Sequence, residues 1–443
     1  MRSALVRIVR LVVGLFYRRI EVADLENVPR QGPVLFVANH PNGLVDPMVI
    51  LRALPRPVVF VAKSTLWKIP LLRSLLDLLG CVPVVRKGEG DPERNGAAFE
   101  RLAALLERDG AVLVFPEGRS HSDPRLSELR TGAARVILVS KKSPVVVPVG
   151  LWFEEKEIFR SNVLVKFGVP VSPPAGGTVD AWTEAIGAAL EGVTLNAESW
   201  EDHEVIAAVD ALYGRAVEKI FLEGEDGQEK MRMGRSLRVR QVLLGARAAL
   251  ARTHPGETTA LVRRVRAFDH LLRRISLSSS SLDDPPPAQT ILWHTMKALA
   301  VVVLGFPVAC LGVVAWWIPY RLCGFVANRV PAAAKTRDQI ALYKLIAGVV
   351  FFPLALLLEG AAVWYVAGPF WAGLAAATLP FAGILSLLFS EYAAWRERQA
   401  RELLALLFAP GAIARLRAER DALIAEIDAL ADTFRPLTDN PRA

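Results

Sequence analysis

The stretch Val34-Leu35-Phe36-Val37-Ala38-Asn39-His40-Pro41-Asn42-Gly43-Leu44-Val45-Asp46-Pro47 decides the fold of the N-terminal half. An unbroken apolar run that opens at once into polar, Pro and Gly positions reads as a strand buried on both faces, ending in a loop. The same pattern recurs at Val58–Val61, Val82–Val85, Val112–Phe115, Val145–Val149 and Val163–Phe167. Amphipathic stretches at Leu71–Leu79, Gly96–Arg108 and Ser127–Ser140 lie between several of them. This alternation predicts an α/β domain layered on a mostly parallel sheet over residues 22–200.

Outward from that domain the patterns change. Residues 1–21 mix Leu, Val and Ile with Arg2, Arg7, Arg10, Arg18 and Arg19, which predicts an interfacial basic amphipathic helix. Packing of the same helix on its own domain is the competing reading. Arginines interrupt the apolar run, so a spanning helix or a cleaved signal peptide is not expected. After Ala197, a basic helical region is predicted over 201–275, with helices at Glu204–Leu222 and Arg235–Arg274, the second broken near Pro255-Gly256. A Ser/Pro linker follows over 276–290, then membrane-embedded helices over 291–392 and a helical polar tail over 393–443.

Composition agrees with a chain of mixed solvent. Of 443 residues, 52% are hydrophobic and 22% charged, which excludes disorder and a disulfide scaffold. The mean hydropathy of +0.32 points to a membrane part. The net charge of +8 favours anionic partners. Cys81, Cys310 and Cys323 have spacings that fit neither a zinc site nor a disulfide framework. Ala298–Ile318 holds no charged residue and is long enough to cross a bilayer. Leu345–Leu358 and Ala361–Leu388 form a second apolar block, interrupted by Glu359 and the Gly368-Pro369 turn. A fully buried soluble bundle is the alternative.

Charge bias places the loop with Arg321, Arg329, Lys335, Arg337 and Lys344 in the cytoplasm, together with Arg396, Arg398 and Arg401. The last block then forms a hairpin with both ends inside. If Ala298–Ile318 also spans, the N-terminal domain falls on the opposite side, unless that segment re-enters at a break near Pro307. In the tail, Leu416, Leu423 and Leu430 recur every seven residues, with Ile427 and Phe434 offset by four. That seam admits a homodimer through the C-terminal helix or an ordinary helix hairpin.

Two polar clusters at strand ends carry the candidate chemistry. His40, just past a strand, is followed six residues later by Asp46, a spacing in which a carboxylate can orient an imidazole base. The second cluster, Phe115-Pro116-Glu117-Gly118-Arg119-Ser120-His121, again follows a predicted strand, where ligands bind in open α/β sheets. Lys63, Arg86 with Lys87, Arg119 and Arg130 supply cations at the same edge.

Taken together and in this order, the motifs resemble the glycerolipid acyltransferase superfamily over Val22 to Ala197. The resemblance implies His40 and Asp46 as the catalytic pair. It implies Arg86, Glu117, Gly118 and Arg119, helped by Lys63 or Arg130, as the binding set for the acceptor's phosphate. Three departures stand out: the arginine of the Glu-Gly element is displaced by one position, Arg130 stands where many members have lysine, and five residues rather than four separate His40 from Asp46. The His-x5-Asp-Pro spacing with Phe-Pro-Glu-Gly-x-Ser-His is similar to the glycerol-3-phosphate/dihydroxyacetone-phosphate acyltransferase subset, and Gly43 can absorb the extra residue.

The resemblance implies transfer of a fatty acyl group from acyl-CoA, or acyl-carrier protein, to glycerol-3-phosphate, with 1-acylglycerol-3-phosphate as the alternative acceptor. It also implies membrane lipids as partners, an integral membrane location with a cytoplasmic catalytic domain, and no metal or other cofactor. A non-catalytic lipid-binding scaffold is the reading of another class. Ser120–His121 as a hydrolase pair is disfavoured by the lack of a Gly-x-Ser-x-Gly elbow. Nucleic-acid binding is disfavoured by the lack of a recognisable module.

Overall fold

The computed structural model describes residues 2–86, 95–221, 232–275, 277, 279–282, 288–329 and 339–432. Lys87, residues 276, 278 and 283–287 of the Ser/Pro linker, Lys335, Arg337 and Phe434 lie outside the described residues. Two compact units are present: one holds the residues up to Trp200 with the starts of two later helices, the other the remaining helices.

The first unit contains helix α1 (Arg2–Phe16) and strand β1 (Arg19–Ala23), then β2 (Val34–Ala38), α2 (Val45–Ala53), β3 (Val59–Lys63), α3 (Pro70–Leu79) and β4 (Val82–Val84). It continues through α4 (Gly96–Glu107), β5 (Ala111–Val114), α5 (Gly132–Val139), β6 (Val145–Phe153), β7 (Asn162–Phe167) and α6 (Val179–Glu191). The strands form one seven-stranded sheet in the order β1-β7-β6-β2-β5-β3-β4. All pairings are parallel except β6 with β7, so the predicted mostly parallel α/β layering is present.

The central strand shows why its sequence reads as continuously apolar. Val34, Phe36 and Ala38 face a core built with α1, α2 and α3, while Leu35 and Val37 face a second core built with α4, α5 and α6. Every residue of β2 is therefore buried, and alternation of polarity is lost.

One boundary moves. The division at residue 21 cuts through β1, which pairs parallel with β7 from Arg19 to Ala23. Its charged Arg19 and Glu21 hide the strand from an apolar-run reading; Glu21 is buried and accepts a hydrogen bond from the Gly234 backbone N–H. Helix α1 packs Val13 and Phe16 into the first core, as in the competing reading, and leaves Ile8, Leu11 and Leu15 exposed on its other side.

The second unit contains most of α7 (Trp200–Phe221), α8 (Arg232–Thr253), α10 (Ala288–Arg329) and α11 (Ile340–Ala367) and all of α9 (Pro255–Arg274), α12 (Pro369–Phe408) and α13 (Pro410–Asp432). The break at Pro255 is present, with Pro255 opening α9. Among the described residues, three windows are long and apolar enough to cross a membrane: Gly305–Arg329, Ile340–Ala367 and Pro369–Glu402. The break near Pro307 is not found: α10 runs through Pro307 and Pro319 without interruption. Small residues let α10 and α12 approach closely, since a Cβ on Gly312 would lie 2.2 Å from the Ala382 carbonyl oxygen. The heptad seam of the tail is covered by this chain's own helix: Leu423 and Ile413 pack against Leu261, Val265, Phe268 and Leu272 of α9. Leu423 is thereby withdrawn from the dimer seam that the repeat suggests.

Candidate active site

Strand register brings the two polar clusters together. Val37 of β2 pairs with Val114 of β5, and His40 and Glu117 each lie three residues beyond that pair. The two chains leave the sheet at the same level. There the His40 backbone N–H donates to Glu117 Oε1 at 2.8 Å, and the His121 N–H donates to the His40 carbonyl at 3.2 Å.

The turn after β2 places the acid. Gly43 adopts a φ of 53°, in the left-handed region that glycine enters without steric strain, and the chain then enters α2 at Val45. Asp46 falls in the first turn of α2, where the helix dipole favours a carboxylate. Its Oδ2 lies 2.8 Å from His40 Nδ1 and accepts the Asn42 backbone N–H at 2.7 Å. The five-residue spacing therefore still closes the pair. Asp46 is fully buried, and burial raises its carboxyl above the usual range despite the opposing bonds from His40 and Asn42.

The imidazole is held from three sides. Nδ1 meets Asp46, the backbone meets Glu117 and His121, and one ring face stacks on Phe115 at 4.0 Å with a 14° tilt. With Nδ1–H directed at the carboxylate, Nε2 carries the lone pair. Among the described residues no hydrogen bond to Nε2 is present. This arrangement suits an imidazole that takes a proton from a hydroxyl.

Glu117 turns inward from the loop after β5. Its side chain is buried, and its Oε2 accepts the Ser127 N–H at 2.8 Å and the Ser127 hydroxyl at 3.0 Å while pairing with His121 Nε2. Burial works to raise its pKa, but the bonds from His121, Ser127 and His40 hold it below the usual range. The bond to Glu117 in turn lifts His121 above its usual value, against the effect of burial. A carboxylate so placed repels a phosphate and is already filled with donors. Through these bonds Glu117 ties the two loops together. Gly118 follows at φ 73°, and a Cβ there would press on the Arg130 stem at 3.3 Å.

Residues 19–152 match the family model described as Acyltransferase. They form an acyltransferase-family domain. The chain is 31% identical over 137 residues to the chloroplastic 1-acyl-sn-glycerol-3-phosphate acyltransferase LPAT1 of Arabidopsis thaliana, covering 31% of this chain and 36% of that protein. It is 30% identical over 136 residues to glycerol-3-phosphate O-acyltransferase 2 of Saccharomyces cerevisiae, covering 27% of this chain and 18% of that one. The solved PlsC acyltransferase of Thermotoga maritima is similar over 43% of this chain and 80% of its own, at 20% identity and a TM-score of 0.35. This chain thus spans about a third and a fifth of the lengths of the two curated relatives just described.

The cations of the acyltransferase domain spread along the same sheet edge. Lys63 ends β3 opposite Val84, and Arg86 follows β4 by two residues; both are half-buried. At about 4.8 Å per strand, the end of β4 lies about 14 Å across the sheet from that of β2. Arg119 and Arg130 have exposed side chains on the loop after β5, with the Arg130 N–H donating to the Pro116 carbonyl at 2.7 Å.

Several residues of the site carry no motif signal. Phe115 reads as the last residue of a strand, and Ser127 as part of a helix. Tyr17, Asn42 and Lys156 come from three separate regions and meet behind Asp46. Only Asn42, polar and next to the His40 turn, could have been suspected from sequence.

Proposed function

We propose that this protein is a membrane-bound acyltransferase that moves a fatty acyl group from acyl-CoA or acyl-carrier protein to the hydroxyl of glycerol-3-phosphate. The observation that carries the reading is the 2.8 Å bond between His40 Nδ1 and the buried Asp46, which leaves Nε2 with its lone pair at the sheet edge. In this reading, Nε2 takes the acceptor's hydroxyl proton as its oxygen bonds to the thioester carbonyl carbon. The tetrahedral intermediate collapses, the carbon–sulfur bond breaks, and the His40 imidazolium returns the proton to the thiolate. Asp46 keeps the tautomer and stabilises the imidazolium. Arg86 and Arg119, with Lys63 or Arg130, would neutralise the acceptor's phosphate. The three long apolar helices would hold the enzyme where an acylated product partitions, with the catalytic domain on the cytoplasmic side.

A second acceptor, 1-acylglycerol-3-phosphate, is favoured by the named activity of the Arabidopsis relative. Purified protein supplied with labelled acyl-CoA and each acceptor in turn separates the two. Label in lysophosphatidate supports the first; label only in phosphatidate supports the second. His40→Ala should lower either activity by about 10³-fold or more with the fold retained. Unchanged transfer by that variant would remove the catalytic assignment.

A further inference from the structure

Asp46 is held in an unusual way for a buried carboxylate. Oδ2 takes both hydrogen bonds, from His40 and from the Asn42 N–H, while Oδ1 has no hydrogen-bond partner among the described residues. The orientation of the carboxylate therefore depends on the loop that presents Asn42. That loop is fastened from behind. The Asn42 side chain is fully buried and donates through Nδ2 to the Tyr17 hydroxyl at 2.9 Å and to the Lys156 carbonyl at 3.3 Å. The Tyr17 hydroxyl donates on to the same Lys156 carbonyl at 3.2 Å. Lys156 closes the ring, since its ammonium donates to the Pro41 carbonyl at 2.7 Å and to the Ser122 hydroxyl at 2.7 Å.

These contacts join segments far apart in the chain. Tyr17 follows the last turn of α1, where its N–H bonds the Val13 carbonyl, and its ring packs on Phe16 and Phe153. Lys156 lies between β6 and β7. Tyr17 is buried, and burial together with the nearby Asp46 charge raises its phenol, which keeps it a neutral hydroxyl.

We propose that Tyr17 and Asn42 are positioning residues that hold Asp46, and through it the tautomer of His40, so that the first helix of the chain is mechanically joined to the base. The role rests on the acyl-transfer reading of the site. A hydroxyl–amide pair of this kind limits how far the 40–46 loop can shift, and small displacements of a catalytic group reduce turnover far more than binding.

Tyr17→Phe removes one oxygen and no volume of note, which makes it the sharpest test. With the full chain in detergent or nanodiscs, kcat should fall about 10-fold while KM for acyl donor and acceptor stays within about twofold. Asn42→Ala should lose at least as much, and the double variant should be no slower than Asn42→Ala alone, because both act through one path. Melting curves refer each kcat to folded protein, and Asn42→Ser serves if Tyr17→Phe does not fold. Unchanged kcat in the folded variants, losses that multiply in the double variant, or a rise in KM with kcat intact would overturn the proposal. His40→Ala in the same assay separates the causes. A silent Tyr17→Phe beside an inactive His40→Ala rejects the positioning role alone, whereas an active His40→Ala rejects the underlying reading and this role with it.

Discussion

The sheet unit and the apolar helices are built from much the same side chains, turned in opposite directions. In the sheet, Phe36, Leu113 and Val147 are wholly shielded from solvent. Along α11 and α12, Leu357, Tyr365 and Phe408 are 71%, 91% and 81% exposed. The three candidate windows have only 17–22% of their residues buried. Apolar surface of that extent is not stable in water, so it identifies hydrocarbon as the expected surroundings of these helices. The difference also governs where polar chemistry can be placed. In the sheet unit, His40, Asn42, Asp46 and Glu117 are buried together at one edge and joined by hydrogen bonds, whereas the outward faces of the helices are nearly bare of such groups.

The largest effect tests that polar edge. Asp46→Asn keeps the shape of the carboxylate but presents an amide to His40 Nδ1, and should lower activity by about 10³–10⁴-fold. Stability should move the other way. Burial gives Asp46 a raised folded-state pKa, so the folded protein holds this proton more tightly than the unfolded chain does. The ionised group therefore lowers stability once the pH rises above about 4, the unfolded carboxylate range. At pH 7 the variant should melt at the same temperature as the parent or higher, with the two converging toward pH 4. A variant that melts well below the parent at pH 7 would show that the His40–Asp46 bond outweighs the burial of the charge.

A paired substitution tests the contrast itself. Leu113→Ala in β5 should destabilise the sheet unit by about 2–5 kcal/mol, because a closed core is left with a cavity. Leu357→Ala in α11 should change stability in detergent by less than about 0.5 kcal/mol, since no protein core is opened. Equal losses at the two positions, read from thermal or denaturant unfolding, would mean that α11 is buried in protein.

A smaller loss than that at Leu113 concerns the tie between the two loops. Glu117→Gln should lower stability by about 1–3 kcal/mol, with a distinctive pH dependence. The depressed Glu117 stabilises above its unfolded value of about 4.3, and this is lost as the pH falls through its folded value. The raised His121 stabilises fully below about 6.5, and this is lost as the pH rises through its folded value. The difference in melting temperature between parent and variant should therefore peak between about pH 5 and 6.5 and shrink on both sides. A difference independent of pH would reject the ion pair.

The legibility of the fold followed the same physics. Six strands were readable as apolar runs, and in the central β2 and β5 burial on both sheet faces explains why the run is unbroken. β1 was not, because an edge position lets Arg19 and Glu21 stand in a strand. The His40–Asp46 pair was readable because it closes between near neighbours in the chain. The contacts of Glu117 were not readable, since nothing local shows that its carboxylate turns inward toward Ser127 and His121.

Local patterning by itself determined the α/β domain, the apolar helices and the His40–Asp46 motif, because hydrophobic runs and short turns are encoded within a few residues. Only the tertiary structure decided that Val37 and Val114 leave the sheet side by side, that Glu117 clasps the His40 loop, and that Tyr17 and Lys156 stand behind Asp46. The physical reason is that hydrogen bonds between segments 25 to 139 residues apart depend on strand register and packing, which no single stretch of chain contains.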